Sequence, residues 1–206
     1  MRRLLVLVVL AVSIGNAQAT TVTFEDVAIA DGPTFATDVT SSGFCLDTAA
    51  NHSHITTGDA FASNGTRFMG IDSFVGPDTT TISPVGGGAF TLTSIDIGEW
   101  SFGGGELWAR HVVVTGNLSG GGTVSRTLDL DGIFDGPGGA ADFQTFAFNA
   151  SWTNLSSVAL EGTGAFAGNY FGIDNVVVNA VPEPGTLTLL GLGSAYLVRR
   201  RQRNRR

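Results

Sequence analysis

The chain is expected to fold as an all-β protein: an antiparallel two-sheet β-sandwich, jelly-roll-like, followed by a C-terminal transmembrane segment. Three observations predict this. Twenty-nine glycines, with clusters of Ser, Thr and Asp, cut the middle of the chain into short pieces. Those pieces are rich in Val, Phe, Thr and Ile, which suit a pleated, half-buried surface. No internal stretch repeats apolar residues at i, i+3 and i+4 over a helical length.

The elements follow in chain order. Residues 1–19 carry Arg2 and Arg3, an apolar run from Leu4 to Ile14, and Ala17-Gln18-Ala19. That is the three-part layout of a secretory signal peptide, with cleavage expected after Ala19. A single β-sandwich domain is expected over 20–179, long enough to bury a real core. Its strands are placed at Thr21–Val27, Arg67–Phe74, Ala89–Ile97, Leu107–Thr115, Thr123–Leu130, Phe143–Asn149, Ser157–Leu160 and Phe171–Val178. Turn signals such as "VGPD", "PVGGG", "NLSGGG" and "DGPGG" separate them. In "AFTLTSIDIGEW", Phe90 and Leu92 keep one phase and Ile95 and Ile97 the other, so a β-bulge is expected near Thr93 and Ser94.

Charge narrows the partners. All eleven basic residues are arginines, and only Arg67, Arg110 and Arg126 lie in the domain, against seventeen acidic residues, a formal charge of about −14. A surface this acidic repels phosphates, so nucleic acid is not an expected partner. It suits cations, neutral sugars or plain solubility. Cys45 is the only cysteine, so no internal disulfide forms, and it is read as a small buried apolar residue. Five N-x-S/T triplets begin at Asn51, Asn64, Asn117, Asn149 and Asn154, a number that chance accounts for in so polar a chain.

No catalytic layout is expected. "SIDIGE" resembles the Glu-Ile-Asp-x-x-Glu strand of laminarinase-like retaining glycoside hydrolases, whose two glutamates act as nucleophile and acid/base. Here Ser94 stands in the nucleophile's place, and Asp96 and Glu99 alone do not run that displacement. There is no G-x-S-x-G elbow. "NHSHIT" sets His52 and His54 two apart, as on one face of a strand, yet no further ligand stands nearby, so a polar loop is expected. Asp129, Asp131 and Asp135 are expected in a solvated turn. Trp108 and Trp152 are candidates for sugar stacking as well as for the core.

Calcium is the one cofactor the pattern suggests. Asp174 shares the phase of Val176 and Val178 in "FGIDNVVV", and a carboxylate facing a core costs several kcal/mol unless paired or metal-bound. Glu25 and Asp26 sit in the first apolar segment. In jelly-roll carbohydrate-binding modules the first and last strands are neighbours, and acidic residues from each often hold a structural Ca²⁺. Glu25 and Asp174 resemble such a pair. The competing reading has Asp174 capping a bulge, with Asn175 turned to solvent.

The tail supplies the most specific signal. Pro182, Glu183 and Pro184 precede Gly185–Val198, fourteen residues that span about 21 Å as a helix, against a hydrocarbon core of about 30 Å. Arg199, Arg200, Arg201, Arg203, Arg205 and Arg206 follow, and by the positive-inside rule they stay in the cytoplasm. In that order the three parts of residues 180–206 resemble the PEP-CTERM sorting signal of exported proteins in Gram-negative bacteria. The resemblance implies handling by an exosortase-like membrane peptidase in cells that make exopolysaccharide. Pro182, Glu183 and Pro184 would be recognition elements, and Arg199, Arg200 and Arg201 would belong to the retaining cluster. It further implies transient anchoring in the inner membrane through the C-terminal helix, then release to the cell surface or extracellular matrix. The body would be structural or associated with extracellular polysaccharide.

Overall fold

The computed structural model describes residues 19–27, 34–36, 38–48, 53–56, 65–71, 79–100, 107–132, 143–164, 169–181 and 193. Apart from Ala19 and Gly193, the signal peptide and the C-terminal apolar segment expected from the sequence lie outside them. The chain divides into a compact body, Gln18–Val181, and a second unit of Met1–Ala17 with Pro182–Arg206. Among the described residues no helix is long and apolar enough to cross a membrane.

Thirteen described strands build the body, all paired antiparallel. One half contains β1 (Ala19–Val22), β2 (Thr34–Ala36), β5 (Ser53–Thr56), β6 (Phe68–Ile71), β8 (Ala89–Glu99), β11 (Phe143–Ala147) and β13 (Phe171–Val181). The other contains β3 (Asp38–Ser41), β4 (Phe44–Thr48), β7 (Thr79–Pro84), β9 (His111–Leu118), β10 (Thr123–Asp129) and β12 (Leu155–Thr163). The halves are not two separate sheets. A ladder contact between Leu155 of β12 and Phe90 of β8 joins them into one path, β2-β5-β6-β13-β8-β12-β7-β4-β3. The sheet curls until its halves face each other over one core. Phe44 meets Phe90 edge-on across it at 5.3 Å, and Leu46, Ile82, Val114 and Leu160 face Leu92, Ile97, Ile173 and Val178 in the same buried cluster.

The expected phase slip in β8 is present, with a counterpart on its neighbour. Asp96 pairs with Asp174 and Leu92 with Val178, but between them Ser94 pairs with Val177. Asn175–Val176 therefore adds one residue to β13, and Thr93 restores the register from β8. Asn175 takes the left-handed conformation this needs, at φ 45°. This second bulge corrects the reading of Asp174. It lies opposite Asp96 on the outer face, out of phase with Val176 and Val178, and is nevertheless fully buried.

Other expectations also shift. The first strand stops at Val22, and Phe24, buried at φ 60°, turns the chain so that Glu25 and Asp26 sit in a turn. "SHIT" of the expected polar loop is strand β5, with His54 buried; His52 lies outside the described residues. Strands β2, β3, β4 and β7 were likewise not expected. The β3–β4 hairpin turns on Ser42-Gly43, both at positive φ, a two-residue connection whose twist suits the strands.

Candidate functional site

β1 and β13 are neighbours, Thr20 opposite Val178, and this brings the candidate metal pair to one segment. The Glu25 carboxylate accepts the Arg67 backbone N–H at 2.7 Å, and Asp174 accepts the hydroxyl of the preceding Thr66 at 3.0 Å. The Arg67 guanidinium donates to the Val27 carbonyl at 2.7 Å and reaches the Glu25 carbonyl at 3.5 Å. A calcium ion needs six or more oxygens turned inward on it. Here an amide, a hydroxyl and a guanidinium already occupy oxygens of that corner, and the guanidinium supplies the positive charge. Among the described residues no group of three or more His, Cys, Asp or Glu is placed to hold a metal ion. The amide and hydroxyl contacts engage Oε1 of Glu25 and Oδ2 of Asp174.

The two tryptophans part company. Trp152 is 2% exposed, packed 4.6 Å from Phe148 and against the position where Gly116 lacks a side chain, so it has no open ring face for a sugar. Trp108 is half-buried beside Tyr170, with which it forms an isolated bridge.

A second aromatic cluster escaped the sequence reading. Cross-strand register lines up His54, Gly70, Gly172, Gly98 and Phe143 in one row on the outer face. The glycines leave a trough in the sheet surface. Trp100 lies over Gly70, Phe143 and Phe68 lie over Gly172, and Tyr170 completes the buried group. His54 sits 5.5 Å from the Trp100 ring. The signal was "FMGI" with "FGID", two strand glycines that mark a close approach.

The carboxylates of "SIDIGE" point to opposite faces of β8. Asp96 is outside, accepting Thr145 Oγ1 at 2.6 Å and Asn175 Nδ2 at 2.9 Å, so Asn175 is turned to Asp96 and not to solvent. Glu99 is buried inside, opposite Phe171, and accepts the Gly132 N–H at 2.6 Å. Two carboxylates on opposite sides of a sheet do not share a glycosidic bond. Asp129 is an exposed partner of His111, at 2.8 Å, and Asp135 lies outside the described residues. Cys45 is half-buried, and burial, then Asp38 and Asp47, push its thiol pKa up, away from reactivity.

Pro182, Glu183, Pro184, Arg199, Arg200 and Arg201 lie outside the described residues, but the strand that delivers them does not. β13 stays paired to β8 as far as Val181, opposite Ala89. Pro182 has no N–H to continue the ladder.

Residues 180–203 match the family model described as the PEP-CTERM protein-sorting motif. No curated protein matches the chain. Similar solved structures include an F5/8 type C domain from Bacteroides fragilis, 17% identical, covering 72% of this chain and 97% of that one at a TM-score of 0.44. Another is the family 11 carbohydrate-binding module of a cellulosomal cellulase of Clostridium thermocellum, 12% identical, covering 75% and 98% at 0.38. A third is the CBM32-3 module of a family 31 glycoside hydrolase from Clostridium perfringens, 13% identical, covering 68% and 95% at 0.35.

Proposed function

We propose that the chain is an exported protein whose tail is a sorting and processing signal. A membrane peptidase of the exosortase type acts at the Pro-Glu-Pro segment, and the body is then delivered to the cell surface or the extracellular matrix. The observation that carries this reading is the sorting-motif match over 180–203, and the signal-peptide layout of residues 1–19 supports it. Gly185–Val198 spans the inner membrane while the arginine stems snorkel. The arginines hold the tail in the cytoplasm, and the two prolines keep the segment before the membrane extended.

The body, in this reading, is a non-enzymatic jelly-roll-like module that works as a structural or polysaccharide-associated unit of the matrix. Specific glycan binding is the second reading, and Trp108, half-buried where Trp152 is fully buried, is the residue that favours it. Saturable binding of a neutral glycan, lost in Trp108→Ala with unchanged unfolding, would establish it. Trp152→Ala does not serve, because removing a core aromatic costs about 3–5 kcal/mol and unfolds what it tests.

The primary test is the intact mass of the mature protein from its native host, with peptide mapping of its C-terminus. The expected result is loss of the chain from around Pro182–Pro184 onward. A mature protein that keeps Arg199–Arg206 in the membrane fraction overturns the processing step and leaves a plain anchor.

A further inference from the structure

We infer that removal of the leader and closure of the sheet exclude each other: the signal peptide is cut off while the body is unfolded, and the first strand docks only afterwards. The inference rests on the signal-peptide reading of residues 1–19 and adds the order of the two events.

The expected bond of cleavage lies inside the fold. β1 opens on Ala19, opposite Asn179, and continues with Thr20 opposite Val178, Thr21 opposite Val177 and Val22 opposite Val176. The peptide bond between Ala19 and Thr20 is therefore part of a ladder, with its neighbouring strand about 4.8 Å away. Hydrolysis adds water across that bond, so that Ala19 leaves as a carboxylate and Thr20 keeps the nitrogen as an ammonium group. A signal peptidase must draw the chain on both sides of the bond into its cleft, reading the small side chains of Ala17 and Ala19. A strand already bonded into a sheet is not free to enter one, whereas exposed, unpaired chain is where proteolysis concentrates.

The residues just past the bond make the exclusion firm. Thr20 is half-buried, while Val22 and Phe24 are fully buried in the continuous core. Phe24, at φ 60°, turns the chain, and behind it the Glu25 and Val27 carbonyls accept hydrogen bonds from Arg67. The segment is thus pinned at two core side chains and at the turn that follows. Bringing Thr20 and Thr21 into a cleft means lifting Val22 out of the core.

Strand order sets the timing. Among the described strands β1 is paired with β13, which is the last of them in the chain. In a chain exported leader first, the partner of β1 is the last part of the body to cross. Val22 has no seat beside Val176 until β13 arrives, so the bond stays open to a peptidase throughout translocation. Pairing the first strand with the last also joins residues from opposite ends of the domain, which makes this closure slow.

The test is an order-of-addition assay on the full-length precursor, purified unfolded in denaturant and diluted into detergent micelles. A bacterial signal peptidase is present from the moment of dilution, or is added only after the body has folded. The new N-terminus is read by mass and by sequencing. A variant with a flexible Gly-Ser insertion of about eight residues between Ala19 and Thr20 carries the bond clear of β1 and leaves the strand itself intact. An unfolding midpoint equal to that of the wild type shows that its body folds. The expected result is cleavage of the wild type after Ala19 when the peptidase is present during folding. Once the body has folded, cleavage should slow about tenfold to a hundredfold, since Val22 must first leave the core. The insertion variant should be cut at one rate in both orders. Folded wild type cut as fast as the insertion variant overturns the proposal, and so does an insertion variant that folding protects equally. In both cases cleavage during folding leaves the leader reading standing. A wild type that is not cut after Ala19 in either order removes the leader reading and the proposal together.

Discussion

The Asp26 carboxylate fastens the turn after β1 to the β3–β4 hairpin, accepting Ser41 Oγ and, at 2.7 Å, Ser42 N–H. Ser42 stands at φ 51°, so the bond steadies a residue held in the left-handed region. The Ser41 hydroxyl first, and the Ser42 amide second, hold the Asp26 carboxyl below its ordinary value of 3.8. A folded-state pKa below the unfolded one gives stability that is present above the unfolded value and is lost as pH falls through the folded value. Asp26→Asn is therefore expected to lower the unfolding temperature at about pH 5. Its deficit against the wild type should shrink as pH drops below 3.8. Thermal melts of both proteins across that range check it, and a deficit that stays constant with pH would remove the charged form from the explanation.

At the scale of elements, the outer-face trough makes a sharper prediction. A Cβ at Gly70 would lie 2.8 Å from three ring atoms of Trp100, and one at Gly172 would lie 2.9 Å from Phe143 Cζ. Gly70→Ala is expected to cost about 1–3 kcal/mol, the usual penalty for overpacking. The loss should appear as altered near-UV dichroism together with a lower unfolding midpoint, while an unchanged Trp100 signal would show that the ring is not seated there. The same elements explain what was legible in the sequence. The bulge in β8 was readable because Phe90, Leu92, Ile95 and Ile97 change phase around Thr93. Its partner in β13 was not, because Asp174-Asn175 carries no apolar marker, and Asp174 was consequently assigned to the wrong face. β5 was hidden for a related reason: Ser53 and His54 are polar, and what buries His54 on its outer face is the cluster around Trp100, which only tertiary pairing assembles. For the candidate site, residues 180–203 were fully readable, since a sorting signal is a linear pattern and needs no fold to be seen. The Glu25–Asp174 corner was readable only in part. Strand order brought the two together, but Arg67, forty-two residues from Glu25 in the chain, is the group that engages that corner.

For the molecule as a whole, the question is what stabilises an exported sandwich with a single cysteine. The curled sheet closes over one continuous core to which both halves contribute, and each large side chain buried there adds about 1.5–3 kcal/mol. A core of that extent needs no cross-link, provided its first strand stays docked. Beyond its ladder with β13 and the buried Val22 and Phe24, that segment is fastened by Arg67, which joins the chain leaving β1 to the segment entering β6 by three hydrogen bonds, to Glu25 Oε1, the Glu25 carbonyl and the Val27 carbonyl. The unfolding temperature of the mature protein is therefore expected to be the same with and without a reductant, and with and without a calcium chelator. Arg67→Ala should lower stability by about 1–3 kcal/mol, because it strips a charged donor from the Glu25 and Val27 carbonyls. Calorimetry on the wild type and this variant, with added Ca²⁺ or chelator, separates the possibilities. If the wild type loses stability on chelation and regains it with Ca²⁺, the metal belongs at this corner after all and the guanidinium is not its substitute. If only Arg67→Ala is destabilised, and Ca²⁺ does not rescue it, the fixed cation of the side chain is what fastens the turn after the first strand.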